Sequence, residues 1–340
     1  MNRGITIVDV ARQAGVSVTT VSRIINNVAY PVASDTREKV LKAIEALQYS
    51  PNKAAQGVRK NASDIIGLIV RDISDSYFGE IAKGVTNRAS ELGCLSFVCN
   101  TGRNPRDELT YHDLLWQHRV KGIILTGGGL DQEDYKRTLL QQMERHKKYG
   151  LRIITLAPQG VSMPYVMIDD FEAGRSITQY LIERGHRKIG FIGGPQKVFT
   201  SMERLRGYQS AMRNAGLDCP NEYTVTSDFS QTGGFNACQR LLQRVNDCTA
   251  ICCANDNIAV GAMSAIRKLE LKTPRDLSII SIGDISEAKY MHPPLTTLRI
   301  PHYEMGKMAV DYIVNGEEDK NITMDASIVE RQSVRNLKLF

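Results

Sequence analysis

The chain has 340 residues, enough for more than one domain, with 42% hydrophobic and 24% charged residues, the balance of a soluble globular protein. No apolar run approaches the roughly 20 residues that span a bilayer, and the opening MNRGITIVDV lacks the apolar core and cleavage site of a secretory signal, so no membrane partner and a cytoplasmic location are expected. The net charge of +6 is unevenly spread: before Ser63, nine bases oppose four acids for a net +5, while the remaining 278 residues carry 34 bases against 33 acids. A small basic module on a near-neutral body points to a polyanion partner for the module alone.

Thr6 precedes Ile7, Val8, Val10, Ala11 and Ala14, apolar positions at helical spacing, and its side chain suits an N-cap. Gly15 breaks the pattern, and Val16 and Ser17 lead into a second helix with apolar positions Val18, Val21, Ile24 and Ile25, running to Asn26. Two short helices joined by a glycine-containing turn cross steeply, so the second can enter a DNA major groove while the first braces the backbone. The first turn of such a helix reaches base edges. That nominates Val18 for apolar contact and Thr19 and Arg23 for hydrogen bonding, with Arg23 able to grip guanine in a bidentate way. Thr6, Ser17, Thr20, Ser22 and Asn26 are short polar side chains suited to phosphate. A third helix, capped by Ser34 or Asp35, presents Val40, Leu41, Ile44 and Leu47 as the stripe that closes a three-helix core.

From Asp64 onward, short apolar runs alternate with helix-length amphipathic segments, the signature of a parallel sheet. Strands are predicted at 65–70, 94–98, 122–125 and 152–156, with helices near 79–92, 106–118 and 133–149. A second set places strands at 165–168, 188–192, 223–225, 250–253 and 278–282, with helices near 173–184, 204–215, 233–244 and 258–268. Two successive doubly wound units imply two lobes, and the cleft beyond the carboxyl ends of their strands suits a small-molecule effector.

Catalytic and metal chemistry find no support. There is no GxSxG, GxxxxGK[ST] or HExxH motif, and Gly127, Gly128 and Gly129 lack GxGxxG spacing and read as the lead into a helix. The six histidines are scattered, and the seven cysteines contain no CxxC pair, so they read as reduced and mostly buried. No cofactor is expected, and an α/β enzyme is the weaker alternative.

TIVDVARQAGVSVTTVSRIINN and TREKVLKAIEALQYSPNKAAQGVR resemble the head of the LacI/GalR family of bacterial transcriptional regulators. DISDSYF, ERLRGYQSAMRNAGL, CANDNIAVGAMSAI and PPLTTLRIP extend the resemblance over nearly the whole chain. It implies a small all-α helix-turn-helix head plus an α/β periplasmic-binding-protein-like body of two doubly wound parallel-sheet lobes. The expected division is a head at 1–50, a hinge helix at 51–63, a first lobe at 64–157 and 298–317, and a second at 158–297 and 318–340. By resemblance, hinge residues Asn52, Ala55 and Val58 meet the minor groove, with Val58 as the wedge. The effector contacts fall on Tyr77, Phe78, Arg204, Phe229 and Asn255.

The sequence departs from the family pattern at Ala33, where a capping Ser is usual, and at Gly283, where a hydroxyl-gripping carboxylate is usual and which Asp284 would have to replace. Pro158 and Gln159 stand where an Arg is common, and Arg71 where a Pro is common. The implied protein is a homodimeric repressor of a double-stranded palindromic operator, controlled by a sugar or sugar-derived effector, with the added Arg71 favouring an anionic one. A constitutive repressor with a vestigial pocket is the alternative. The short tail shows no heptad repeat, which favours a dimer over a coiled-coil tetramer.

Overall fold

The computed structural model describes residues 5–26, 31–50, 63–316 and 321–339, and divides into two compact units at Ser63/Asp64. In the head, α1 (Ile7–Ala14), α2 (Val18–Ile25) and α3 (Ser34–Ala46) bury Val10, Ala11, Val21, Ile24, Val40 and Ala43 against one another. The Asp9 carboxylate accepts the Thr6 backbone N–H at 2.9 Å and the Thr6 hydroxyl at 2.7 Å, fixing the start of α1. Gly15 ends that helix in the left-handed region at φ 66°, which turns the chain directly into α2.

Two expectations for α3 are corrected. Ala33 itself occupies the N-cap position with no side-chain bond, so neither Ser34 nor Asp35 takes over as cap. The Asp35 carboxylate instead lies in the first turn, where its charge complements the exposed amides. Leu41 is 51% exposed and lies outside the core, because Val40 and Ala43 already fill the inward face.

The body holds two six-stranded sheets. In the first, β1 (Ile65–Val70), β2 (Leu95–Asn100), β3 (Gly122–Leu125), β4 (Arg152–Thr155), β5 (Tyr165–Met167) and β11 (Asn321–Thr323) run in the order β11-β5-β4-β3-β1-β2. In the second, β6 (Ile189–Gly193), β7 (Thr224–Thr226), β8 (Ala250–Cys253), β9 (Ser278–Gly283), β10 (Thr296–Arg299) and β12 (Ser327–Val329) run in the order β12-β10-β9-β8-β6-β7. The ladders are parallel except β10 with β12.

The lobe boundaries therefore differ from expectation. β5 pairs with β4 and β11 in the first sheet, whereas residues 298 and 299 pair with β9 in the second. A three-residue strand has the same alternation in either sheet, so only its ladder partner assigns it. The chain thus passes between the lobes three times, after β5, after β10 and after β11.

Helices α4 (Ser76–Glu91), α5 (Pro105–Gln117), α6 (Glu133–Lys148) and α11 (His302–Asn315) cover the first sheet. Helices α7 (Asp170–Glu183), α8 (Phe199–Asn214), α9 (Gln231–Arg244) and α10 (Asp256–Lys268) cover the second. Between α5 and α6, the His112 ring is fully buried with neither nitrogen hydrogen-bonded, 6.1 Å from the ring of His146. Burial first, and the neighbouring imidazole second, push His112 down from 6.5 to about 3.

The folded protein thus holds the neutral ring while the unfolded chain protonates normally. The associated stability is complete above about pH 6.5 and is lost as pH falls toward 3. His112→Phe is expected to flatten the fall in unfolding free energy, measured with urea, between pH 6 and 4, by up to about 1.4 kcal/mol per pH unit. An unchanged slope would remove His112 as a source of acid sensitivity.

A helix-turn-helix surface and an inter-lobe cavity

On the head, Val18 and Thr19 are exposed at the start of α2, and Arg23 is half-buried one turn on. The polar residues around them are organised by the helix itself. Ser17 caps α2 by accepting the Thr20 amide at 3.1 Å, and its hydroxyl pairs with that of Thr20 at 2.9 Å. Asn26 closes the other end, donating to the Ser22 carbonyl at 2.8 Å and to its hydroxyl at 3.2 Å. These side chains therefore hold the geometry of α2 while remaining at least partly exposed. The hinge residues Asn52, Ala55 and Val58 lie outside the described residues.

In the body, a cavity of about 200 Å³ opens between the lobes. Tyr77 and Phe78 reach it from the first turn of α4, Thr200 and Arg204 from α8, Phe229 from the loop after β7, and Asn255 from the N-cap of α10. Five of the six expected effector residues thus line one space. The sixth does not: Asp284 binds Arg299 and Arg331, each at 2.6 Å, and stands outside the lining. Gly283 has a local reason as well, since a Cβ there would stand 2.7 Å from the Asp256 carboxylate. That buried carboxylate already accepts from Ser281, Thr297 and the Ile285 amide.

Arg204 sits at the back of the cavity as part of the frame. Its guanidinium binds Asp170 at 2.7 Å and the Ala254 carbonyl at 2.6 Å, joining the starts of α7, α8 and α10. Burial raises the Asp170 carboxyl above its ordinary range, although Arg204 pulls the other way. Asn255 is likewise engaged, capping α10 through the Ile258 amide and donating to the Phe229 carbonyl at 3.2 Å. Phe229 holds a left-handed backbone at φ 69°, and its ring lies over Gly194, where any Cβ would collide with it.

The first lobe places Arg71 at the cavity and adds Glu108, Arg103 and Asp75, which sequence reading did not single out. Arg71 lines the cavity from the end of β1 and binds Glu108 of α5 at 2.9 Å; Glu108 also accepts the Tyr135 hydroxyl from α6. Arg103 pairs with Asp75 at 3.1 Å. Burial is the leading effect on Asp75 and raises its carboxyl.

The glycine run does not lead into a helix. Gly127 and Gly128 line the cavity, and the Gly129 carbonyl accepts the Phe199 amide of the second lobe at 3.1 Å. Asp131 donates its amide to the Lys197 carbonyl at 2.7 Å alongside. Close approach requires the missing side chains, since a Cβ on Gly128 would meet Thr200 and one on Gly129 would meet Gln159. The signal was three glycines directly after a strand, at the ligand-facing end of a parallel sheet.

Comparison with known proteins gives a consistent picture. A family model described as bacterial regulatory proteins, lacI family, matches residues 6–52, and one described as periplasmic binding proteins and sugar binding domain of LacI family matches residues 63–331. The chain is 33% identical over 335 residues to an HTH-type transcriptional repressor PurR of Klebsiella pneumoniae (strain 342), covering 97% of this chain and 96% of that protein. Among solved structures, a lac repressor dimer bound to operator and the anti-inducer ONPF matches with a TM-score of 0.86 at 26% identity, covering 98% of this chain and 100% of that one. The transcriptional regulator CelR in complex with cellobiose matches with a TM-score of 0.71 at 29% identity, covering 97% and 99%.

The Arg204–Asp170 pair yields a direct test of the frame. Asp170→Asn leaves a buried guanidinium without its counter-charge and is expected to cost about 3–5 kcal/mol in urea unfolding. A loss below about 1 kcal/mol would show that the pair is dispensable to the body.

Proposed function

This chain belongs to the LacI family of bacterial regulatory proteins, and on that premise we propose that it acts in the cytoplasm as a homodimer on a palindromic operator, under the control of a sugar-derived effector held between its lobes. It is a DNA-binding transcriptional repressor with an effector-binding body. The observation that carries the effector reading is the inter-lobe cavity, where aromatic faces of Tyr77, Phe78 and Phe229 converge with the arginines Arg71 and Arg103. Aromatic faces suit a sugar or acid skeleton, and arginines orient hydroxyls or an acid group.

In this reading Val18, Thr19 and Arg23 read bases, and the exposed polar atoms of Thr6, Ser17, Thr20, Ser22 and Asn26 meet phosphates. Asn52, Ala55 and Val58 enter the minor groove. One apolar surface supports the dimer: the edge strand β2 exposes Leu95, Phe97 and Val98. Effector binding biases lobe closure, and closure shifts the paired first lobes and the spacing of the heads' attachment points. Two-fold symmetry of the dimer then demands two-fold symmetry of the operator.

Selection from a pool of randomised duplexes, with and without a metabolite mixture, is expected to enrich a palindrome whose retention changes with metabolites. A palindrome insensitive to every metabolite fraction would favour the constitutive alternative, and no enrichment would defeat the operator reading. On the selected site, Arg23→Ala is expected to cost about 1–3 kcal/mol and relax preference at one base pair. Equal losses on selected and random duplexes would remove Arg23 as a base reader.

A further inference from the structure

We propose that the effector carries a carboxylate and that Arg71 receives it. The inference rests on the reading of the cleft as an effector site and narrows its chemistry. Arg71 is only 8% exposed and binds Glu108 through Nη1 at 2.9 Å. Its Nε and Nη2 are buried without a hydrogen-bond partner, while the side chain lines the cavity. These two atoms form one edge of the planar guanidinium, whose parallel N–H bonds match the two oxygens of a carboxylate. Leaving buried donors unmet is unfavourable, so a bidentate acceptor in the cavity recovers what the empty fold forgoes. Gly127 lets the chain pack directly on this side chain, since a Cβ there would stand 2.9 Å from Arg71 Cγ and 3.1 Å from Nε.

Neighbouring groups narrow the class further. Arg204 is committed to Asp170 and the Ala254 carbonyl, and Arg103, paired with Asp75, is more solvent-exposed than Arg71. The described lining has no unpaired carboxylate to grip neutral hydroxyls, because Asp75 also accepts the Tyr77 amide. Since Glu108 already balances Arg71, one further negative charge is better tolerated than the two of a phosphate in so desolvated a place. The volume of about 200 Å³ lies below the usual range for drug-sized ligands. A small hydroxy acid or sugar acid fits, with its carbon skeleton against Tyr77, Phe78 and Phe229.

The test uses the full chain in thermal unfolding at constant ionic strength, with lactate, glycerate and gluconate set against 1,2-propanediol, glycerol and sorbitol, their neutral counterparts. At least one acid is expected to raise the melting temperature by about 2–4 °C, with no shift from its neutral counterpart. Arg71→Met is expected to abolish that shift. Arg71→Lys, which keeps a cation for Glu108 and so protects the fold, is expected to weaken acid binding at least about tenfold, because an ammonium lacks the two-donor edge. Equal shifts from an acid and its neutral counterpart, an acid shift that survives both substitutions, or no shift from any acid would each overturn the proposal. Failure here leaves the cleft reading to be judged separately, by whether metabolites change operator retention.

Discussion

A Cβ on Gly174 would stand 2.1 Å from the Arg204 carbonyl oxygen, and one on Gly207 would stand 2.0 Å from that of Phe171, so α7 and α8 meet backbone to backbone. The same reciprocal contact recurs between α9 and α10 at Gly234 and Gly261, and between α4 and α11 at Gly84 and Gly306. Each contact draws together two helices that begin near the cleft, and this sets the places of the cavity residues. Arg204 reaches Asp170 because nothing larger than hydrogen separates their helices. Asn255 and Phe229 meet because α9 and α10 are drawn together in the same way. Substituting any of these glycines would act on the cavity through the spacing of its walls.

Helix polarity reinforces this arrangement. The first turn of α4 brings Tyr77 and Phe78, that of α8 brings Thr200, and the N-cap of α10 brings Asn255. Several helix N-termini therefore surround one cavity, and their aligned peptide dipoles add positive potential to that of Arg71 and Arg103. The acids nearby, Asp75 and Asp170, are absorbed by local partners, with Asp75 capping α4 and Asp170 bound to Arg204. What is left facing the cavity is a set of donors and aromatic faces.

Much of this was legible in the sequence because it lies in local patterns. The two head helices announce themselves by period and a glycine stop, and Tyr77, Phe78, Arg204, Phe229 and Asn255 were reached through short motifs that resemble the family's. What was not legible depends on pairing across the fold. Arg71 and Glu108 are 37 positions apart, and nothing local marks Glu108, on an amphipathic helix, as a buried partner. Asp284 was named as a ligand group only because the resemblance places a hydroxyl-gripping carboxylate next to it, where this chain has Gly283. Its left-handed backbone at φ 61° instead accompanies a side chain bound to Arg299 and Arg331, the second of them 47 positions on. The placements of β5 and β11 failed for the same reason, since a three-residue strand has no identity apart from its neighbours.

The lobes are joined across the cleft by bonds that depend on no ligand. Two backbone hydrogen bonds link 129–131 to 197–199, and Ser76 donates to Glu287 at 2.8 Å. At a net value of about 0.5–1.5 kcal/mol each, three such bonds favour closure by only a few kcal/mol before the entropy of holding the lobes is set against them. Coupling between ligand sites is commonly about 1–3 kcal/mol. The two quantities are of the same size, so a ligand that favours closure by the usual coupling energy adds as much as these bonds do. The unmet edge of Arg71 is well placed to do so, because it belongs to the first lobe while Phe229, Thr200 and Arg204 belong to the second. An acid bridging them would favour the arrangement in which all are within reach.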